Sequence, residues 1–157
     1  MKVLLIDDHP LILSALQSVI QGLGDDVTVV GVGSAAEART TLRADSDFDL
    51  VLLDLKLGDA DGFDVLVELR STYPAVPVVV VSASDRHSDV IRAVDAGAMG
   101  FVPKRASNED LFEALHMVMS GHIYVPQVML GGYESSAPSR PEDDSTPAEA
   151  VTSSPRM

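Results

Sequence analysis

The sequence predicts an α/β fold: one parallel sheet, doubly wound, with helices on both faces. Three observations predict it. Short apolar runs alternate five times with longer amphipathic stretches between residues 2 and 120. One run, Leu50-Val51-Leu52-Leu53, is aliphatic without a polar break, as in a strand buried on both faces of a parallel sheet. Several runs stop at polar groups, namely Asp7-Asp8, Asp54, Ser82 and Lys104, and open α/β sheets collect their ligand chemistry at the carboxyl ends of the strands. Five successive βα units imply right-handed crossovers.

Each element has its own signal. Residues 2–6 are a short apolar run and form the first strand, ending at Asp7-Asp8. Pro10 suits the first turn of a helix. Leu11, Leu13, Leu16, Val19, Ile20 and Leu23 then follow helical spacing until Gly22 and Gly24 stop it. The second strand is 27–30. Ser34 can cap a helix over 35–44, with Glu37 at capping-box spacing. Residues 50–54 are the third strand. The third helix runs over 63–73 and ends before Pro74. Residues 76–82 are a strongly β-branched fourth strand ending at Ser82. A fourth helix over 85–96 closes at Gly97, a fifth strand spans 99–102, and Ser107 caps a fifth helix over 107–120, with Asp110 three residues on.

Composition bounds the function. A chain of 157 residues suffices for one domain with a real core and a tail. No apolar stretch reaches the roughly 18 residues of a membrane span, and the N-terminal apolar run is too short for a signal peptide. Cysteine is absent, which excludes a disulfide framework and thiolate metal sites and fits a cytoplasmic protein. A net charge of −13 argues against this piece gripping a phosphate backbone. Residues 1–130 form the expected domain, with 19 acids and 9 bases, and 122–126 are expected to pack on it. Residues 131–157 hold four prolines, six serines and two glycines without an apolar period, and read as a disordered linker or tail.

The chemistry lies in the strand ends. Asp54 alone reads as a helix cap or a solvated loop acid. With the first, third, fourth and fifth strands adjacent, however, Asp7, Asp8, Asp54, Ser82 and Lys104 share one rim. Carboxylates placed close together repel unless compensated. A hard divalent ion with oxygen ligands, such as Mg²⁺, and the Lys104 ammonium would both compensate. The same arrangement suits an incoming phosphoryl group: Lys104 neutralises its oxygens, the Ser82 hydroxyl donates to one, and Asp54 is the carboxylate nucleophile. His9 sits in a loop beside the rim and reads as a surface or orienting residue. His87, His116 and His122 show no ligand spacing.

At this point the chain resembles the response-regulator receiver domains of two-component signalling, over residues 2 to about 126. The matching pieces are Asp7-Asp8, Asp54-Leu55-Lys56-Leu57 with Asp61-Gly62, Ser82-Ala83, Phe101 and Lys104. The stretches 7–10, 97–104 and 121–126 look like the NarL/FixJ-type subclass. The resemblance implies a (βα)₅ flavodoxin-like (CheY-like) receiver that takes a phosphoryl group from a sensor histidine kinase. It implies that Asp54 is the phosphoacceptor, and that Asp8, Asp54 and the Lys56 backbone carbonyl bind Mg²⁺ (or Mn²⁺), with Asp7 assisting. It makes Ser82 and Phe101 the switch pair and Lys104 the phosphate partner. Such a domain is a signalling receiver that catalyses only its own phosphorylation and dephosphorylation. A homodimer is open to it, and DNA would be reached only through an output domain. Two departures stand out. Gly58 replaces the usual Pro four residues after the acceptor, giving a more flexible loop, and Arg105 replaces the Pro that often follows the Lys.

Rival readings are weaker. Gly31-Val32-Gly33-Ser34-Ala35-Ala36 fits a dinucleotide fingerprint but follows the second strand, and Asp54 is claimed by the acid cluster. Residues 57–68 place Asp59, Asp61, Gly62 and Glu68 at EF-hand positions, yet Leu57 stands where the first acid belongs. A haloacid-dehalogenase-type phosphohydrolase resembles Asp-x-Asp, and here the second position is Lys56. A stand-alone relay receiver is the alternative within signalling. The subclass usually continues into a C-terminal helix-turn-helix, and residues 152–157 look like its opening. The chain is therefore expected to be a receiver and linker from a longer transcription regulator.

Overall fold

The apolar runs and amphipathic stretches fold as their periodicity demands. The computed structural model describes residues 1–126. The elements are β1 (Lys2–Ile6), α1 (Pro10–Gln21), β2 (Thr28–Val32), α2 (Ala35–Ala44), β3 (Leu50–Asp54), α3 (Gly62–Thr72), β4 (Val78–Ser82), α4 (His87–Asp95), β5 (Gly100–Pro103) and α5 (Asn108–Met119). All strand pairs are parallel and the sheet order is β2-β1-β3-β4-β5. The order reverses between β1 and β3, so their carboxyl ends flank the crevice where such sheets place ligands. The compact unit spans Met1–Tyr124. The expected tail, 131–157, lies outside the described residues.

Burial follows from this topology. Every residue of the central strands β3 and β4 is buried, whereas the edge strand β2 buries only Val32. The core joins Val3, Leu5, Leu50, Leu52, Val79 and Val81 of the sheet to Ile20 of α1 and Leu111, Leu115 and Val118 of α5. Each such side chain contributes about 1.5–3 kcal/mol. The register Ile6↔Leu53 and Asp54↔Val81 brings the ends of β1, β3 and β4 level, which is what assembles the rim.

Caps fix the helix starts. Ser34 Oγ accepts from the Glu37 amide at 3.1 Å, and the Glu37 carboxylate reaches back to the Gly33 amide at 2.8 Å. Ser107 Oγ accepts from the Asp110 amide at 3.1 Å, and Asp61 Oδ1 from the Phe63 amide at 2.8 Å. Gly97 ends the α4 region at φ +107°, a conformation that favours glycine.

Some boundaries differ from expectation for physical reasons. β2 starts at Thr28 and continues through Gly31 and Val32, which pair with Leu5 and Ile6. A Cβ at Gly31 would stand 2.9 Å from Gln17 Nε2 and 3.1 Å from Leu13 Cδ1, so this glycine admits α1 and belongs to no phosphate loop. β4 starts at Val78 because Pro77 has no amide to donate, although its carbonyl accepts from the Val51 amide at 3.0 Å. Tyr124 packs back as expected, forming a bridge with Gly100 and exchanging backbone hydrogen bonds of 3.0 and 3.1 Å with Met99 and Phe101.

Candidate functional site

Three of the described residues are polar yet buried: Asp7 at 2 % exposure, Asp54 at 3 % and Ser82 at 4 %. All three stand at the carboxyl rim. Asp7 immediately follows β1 and remains tied to the sheet, its amide donating to the Val32 carbonyl at 3.1 Å. Asp54 closes β3, and its Oδ1 accepts from the Lys56 amide at 3.1 Å. Ser82 closes β4, and its Oγ accepts from the Ser84 amide at 3.1 Å. The Lys104 amide donates to the Ser82 carbonyl at 2.7 Å, which holds the β5–α5 loop against β4 and carries the lysine to the acids.

Lys104 Nζ lies 3.1 Å from Asp54 Oδ2 and 3.1 Å from Asp7 Oδ2. The first contact is a hydrogen bond. The second is an ion pair outside hydrogen-bonding geometry, which leaves Asp7 Oδ2 buried without a donor. Asp8 Oδ1 is likewise buried without a donor. Burial raises the Asp54 carboxyl above its ordinary range; the Lys56 amide and Lys104 pull it down, and the Asp7 charge pushes it up, with a net rise. Burial opposes the charge on Lys104, but the hydrogen bond to Asp54 and the negative charges of Asp54 and Asp7 outweigh it and raise the ammonium. One cation thus serves two buried anions, and Asp8 stands beside them partly exposed.

His9, expected as a surface or orienting residue, is 57 % exposed and stands against this group. Its Nδ1 is 3.1 Å from Asp7 Oδ1, 3.1 Å from Asp8 Oδ1 and 3.7 Å from Asp54 Oδ2. Its amide donates to Asp7 Oδ1 at 2.8 Å, an Asx turn. Among the described residues, Asp7, Asp8, His9 and Asp54 each offer a donor atom within 4.8 Å of the others. Convergent carboxylate oxygens, two of them lacking donors, fit a hard divalent ion such as Mg²⁺.

The loop after β3 is shaped by close approach. A Cβ at Gly62 would stand 2.3 Å from the Leu55 Cα, so only glycine fits there, and its amide donates to the Leu55 carbonyl at 3.1 Å. Lys56 forms an antiparallel bridge with Asp61. Asp59 crosses to α2, accepting from the Ala35 and Ala36 amides at 3.0 Å each; these bonds hold its carboxyl below the ordinary range. The EF-hand reading of Asp59 fails for the same reason: both of its oxygens are spent on a helix N-terminus. Gly58, in place of proline, faces Asp8, with 3.5 Å between its would-be Cβ and Asp8 Oδ2. Phe101 is completely buried beside the rim.

Residues 3–116 match the family model described as the response regulator receiver domain. The nitrate/nitrite response regulator protein NarL of Escherichia coli K12 is 35% identical over 127 residues, which cover 81% of this chain and 58% of that protein. The glycerol metabolism activator of Pseudomonas putida is 33% identical over 125 residues, 80% of this chain and 57% of that one. The chain therefore spans less than two thirds of these relatives. Among solved structures, a LuxR family DNA-binding response regulator from Silicibacter pomeroyi superposes with a TM-score of 0.73 at 32% identity, covering 82% of this chain and 98% of that one. The signal receiver domain of the response regulator NarL from Mycobacterium tuberculosis gives 0.68 at 30% identity, covering 77% and 97%.

Proposed function

The chain belongs to the response regulator receiver domain family, of the NarL/FixJ type, and from that premise we propose that Asp54 accepts the phosphoryl group of a sensor kinase's phosphohistidine. A carboxylate oxygen of Asp54 attacks phosphorus, the phosphorus–nitrogen bond breaks, and the leaving imidazole takes up a proton. The observation that carries this reading is Lys104 Nζ held 3.1 Å from both Asp54 and Asp7 at a buried strand end. That ammonium stands where transferred negative charge would accumulate. Ser82 supplies a hydroxyl that can turn from Ser84 toward a phosphoryl oxygen.

Asp7, Asp8, Asp54 and the Lys56 carbonyl would hold Mg²⁺ or Mn²⁺. The ion, when bound, supplies positive charge that offsets the carboxylates and the phosphoryl oxygens. Before arrival of the phosphoryl group, the protein's own residues hold Asp54 in place, exclude bulk water from it and keep Lys104 protonated. Afterwards Ser82 and the buried Phe101 would transmit the change toward α4 and β5. The chain acts as a signalling receiver rather than a turnover enzyme, in the cytoplasm. Among the described residues no helix is long and apolar enough to cross a membrane. A transcriptional output through a DNA-binding domain is proposed from the relatives, which are longer than this chain.

The test is labelling with acetyl phosphate and Mg²⁺, followed by mapping of the modified residue. Wild type is expected to carry one acyl phosphate on Asp54, and Asp54→Asn none. A label on any other residue, or equal labelling of the mutant, overturns the assignment.

A further inference from the structure

We infer that Asp59 is a positioning residue for the acceptor site: seated on the start of α2, its carboxylate fixes the tip of the β3–α3 loop and with it the Lys56 carbonyl that serves the divalent ion. This deepens, and rests on, the reading of Asp54 as phosphoacceptor and of the Lys56 carbonyl as a ligand of its metal.

The loop is held at its base and free at its tip. At the base the Gly62 amide donates to the Leu55 carbonyl at 3.1 Å, and Lys56 bridges Asp61. Lys56 also donates its own amide to Asp54 Oδ1 at 3.1 Å. Among the described residues no hydrogen bond ends on the Lys56 carbonyl, so its lone pairs are available to a cation. The tip, 57–60, contains Gly58, and glycine has the widest backbone freedom of any residue. Among the described residues, the only hydrogen bonds from this tip to the rest of the chain are the two that Asp59 accepts, from the Ala35 and Ala36 amides at 3.0 Å each.

The receiving end is rigid. Ala35 and Ala36 open α2, where amides have no partner within the helix. Capping α2 is the plain reading of Asp59, but Ser34 Oγ already fills that role by accepting from the Glu37 amide at 3.1 Å. One turn on, Arg39 grips Glu68 of α3 through Nε and Nη2 at 2.9 Å each. α3 begins at Gly62, where the loop ends. Loop, α2 and α3 thus close into one frame, with Asp59 as the join between loop and α2. What that frame holds is Lys56.

The experiment titrates Mg²⁺ into the full chain, followed by backbone-amide NMR, for wild type, Asp59→Ala and Ser34→Ala. Ser34→Ala is the control for a weakened α2, because it removes a cap without touching the loop. The Mg²⁺ dissociation constant is expected to rise about tenfold in Asp59→Ala and to stay at the wild-type value in Ser34→Ala. Amide exchange in residues 57–60 is expected to quicken in Asp59→Ala alone. In acetyl-phosphate labelling of Asp59→Ala, the Mg²⁺ concentration for half-maximal reaction should rise about tenfold, while the rate at saturating Mg²⁺ stays within about twofold of wild type. An unchanged dissociation constant in Asp59→Ala, or an equal rise in Ser34→Ala, overturns the inference. Failure of the two readings is separable. If wild type labels on Asp54 and Asp59→Ala binds Mg²⁺ as wild type does, the Asp59 inference falls and the proposed function stands. If wild type does not label, the proposed function falls, and Asp59 is still judged by the Mg²⁺ dissociation constant.

Discussion

The two flanks of the acid rim are built differently. On the β1–β3 side the polar groups are fixed by backbone. The Asp7 amide is in the sheet, the Lys56 amide holds Asp54, the Gly62 amide holds Leu55, and Asp59 ties the loop to two amides of α2. On the β4–β5 side, past the ends of the strands, the ties run largely through side chains. Ser84 Oγ donates to Asp89 at 2.7 Å, and Arg105 pairs with Asp85 across the two loops. Arg105 is 67 % exposed, α4 has no side-chain cap, and α4 buries only Val90 and Ala93. The difference is one of strength. Ties made by exposed side chains are worth about 0–1 kcal/mol each, whereas one charge-assisted hydrogen bond to a new phosphoryl oxygen is worth about 1.5–3 kcal/mol. A phosphoryl group can therefore outbid the ties on the α4 flank and leave the β3–α3 flank in place. On the proposed reading, the acceptor would stay aligned while the α4 surface moved.

The largest effect should come from breaking the pinned flank. Gly62→Ala places a Cβ 2.3 Å from the Leu55 Cα and 2.4 Å from its carbonyl oxygen, and both are backbone atoms that cannot rotate away. The expected loss is about 3 kcal/mol in urea unfolding, with a parallel fall in Asp54 labelling as the loop shifts. A neutral Gly62→Ala would mean that this flank is as yielding as the other.

Next comes the charge that joins the flanks. Lys104→Met leaves Asp7 and Asp54 buried without their shared cation, at an expected loss of about 3 kcal/mol at pH 7. The pH dependence has a definite sign. Asp54 is raised in the folded state, so its contribution to stability is full below the ordinary carboxylate range and is lost as pH rises through the raised value. Lys104 is also raised, so its stabilisation persists through neutral pH and is lost only in strong alkali. The Lys104→Met penalty is therefore expected to be greatest near neutrality and to shrink as pH falls toward the ordinary carboxylate range. Adding Asp54→Asn to Lys104→Met should recover about 1–2 kcal/mol at pH 7, because it removes one buried unpaired anion. Unfolding curves at several pH values check both signs, and a penalty that grows in acid would refute the account.

How far the sequence reached can be seen residue by residue. β1, β3 and β4 were legible because strands buried on both faces must be apolar, and the rim was legible because their runs stop at Asp7, Asp54 and Ser82. The caps Ser34 and Ser107 were legible because capping is local. What escaped depends on approach between distant segments. The tie from Asp59 to α2 spans 23 and 24 residues, and no spacing rule encodes it. The need for glycine at position 62 appears only when Leu55 folds back onto it. The dinucleotide fingerprint at Gly31 was already set aside on its place in the chain, but the packing of α1 that requires this glycine was not legible. His9 was read from its loop context, which gave its exposure but not the direction of its ring.

The smallest effect on stability sharpens the comparison most. Arg105→Ala removes an exposed ion pair with Asp85, and the expected change in unfolding free energy is about 0.5 kcal/mol or less. Stability alone would then class the residue as inert, but its position makes a second expectation. Arg105 sits next to Lys104 and bridges the β5–α5 loop to the β4–α4 loop, whose residues connect Ser82 to α4. Releasing the bridge should loosen that loop locally, so amide exchange in residues 83–86 should quicken in Arg105→Ala, while exchange in residues 55–62 stays at the wild-type rate. The pinned loop is the internal control, because its Lys56 amide is held by Asp54 and its Gly62 amide by the Leu55 carbonyl, whereas the Arg105 side chain pairs with Asp85. Equal quickening on both flanks would mean that the rim opens as one unit. No quickening on either would mean that the α4 flank is held by its packing rather than by its surface pairs, and the contrast between the two flanks would then have to be sought in the core contacts of Val90 and Ala93.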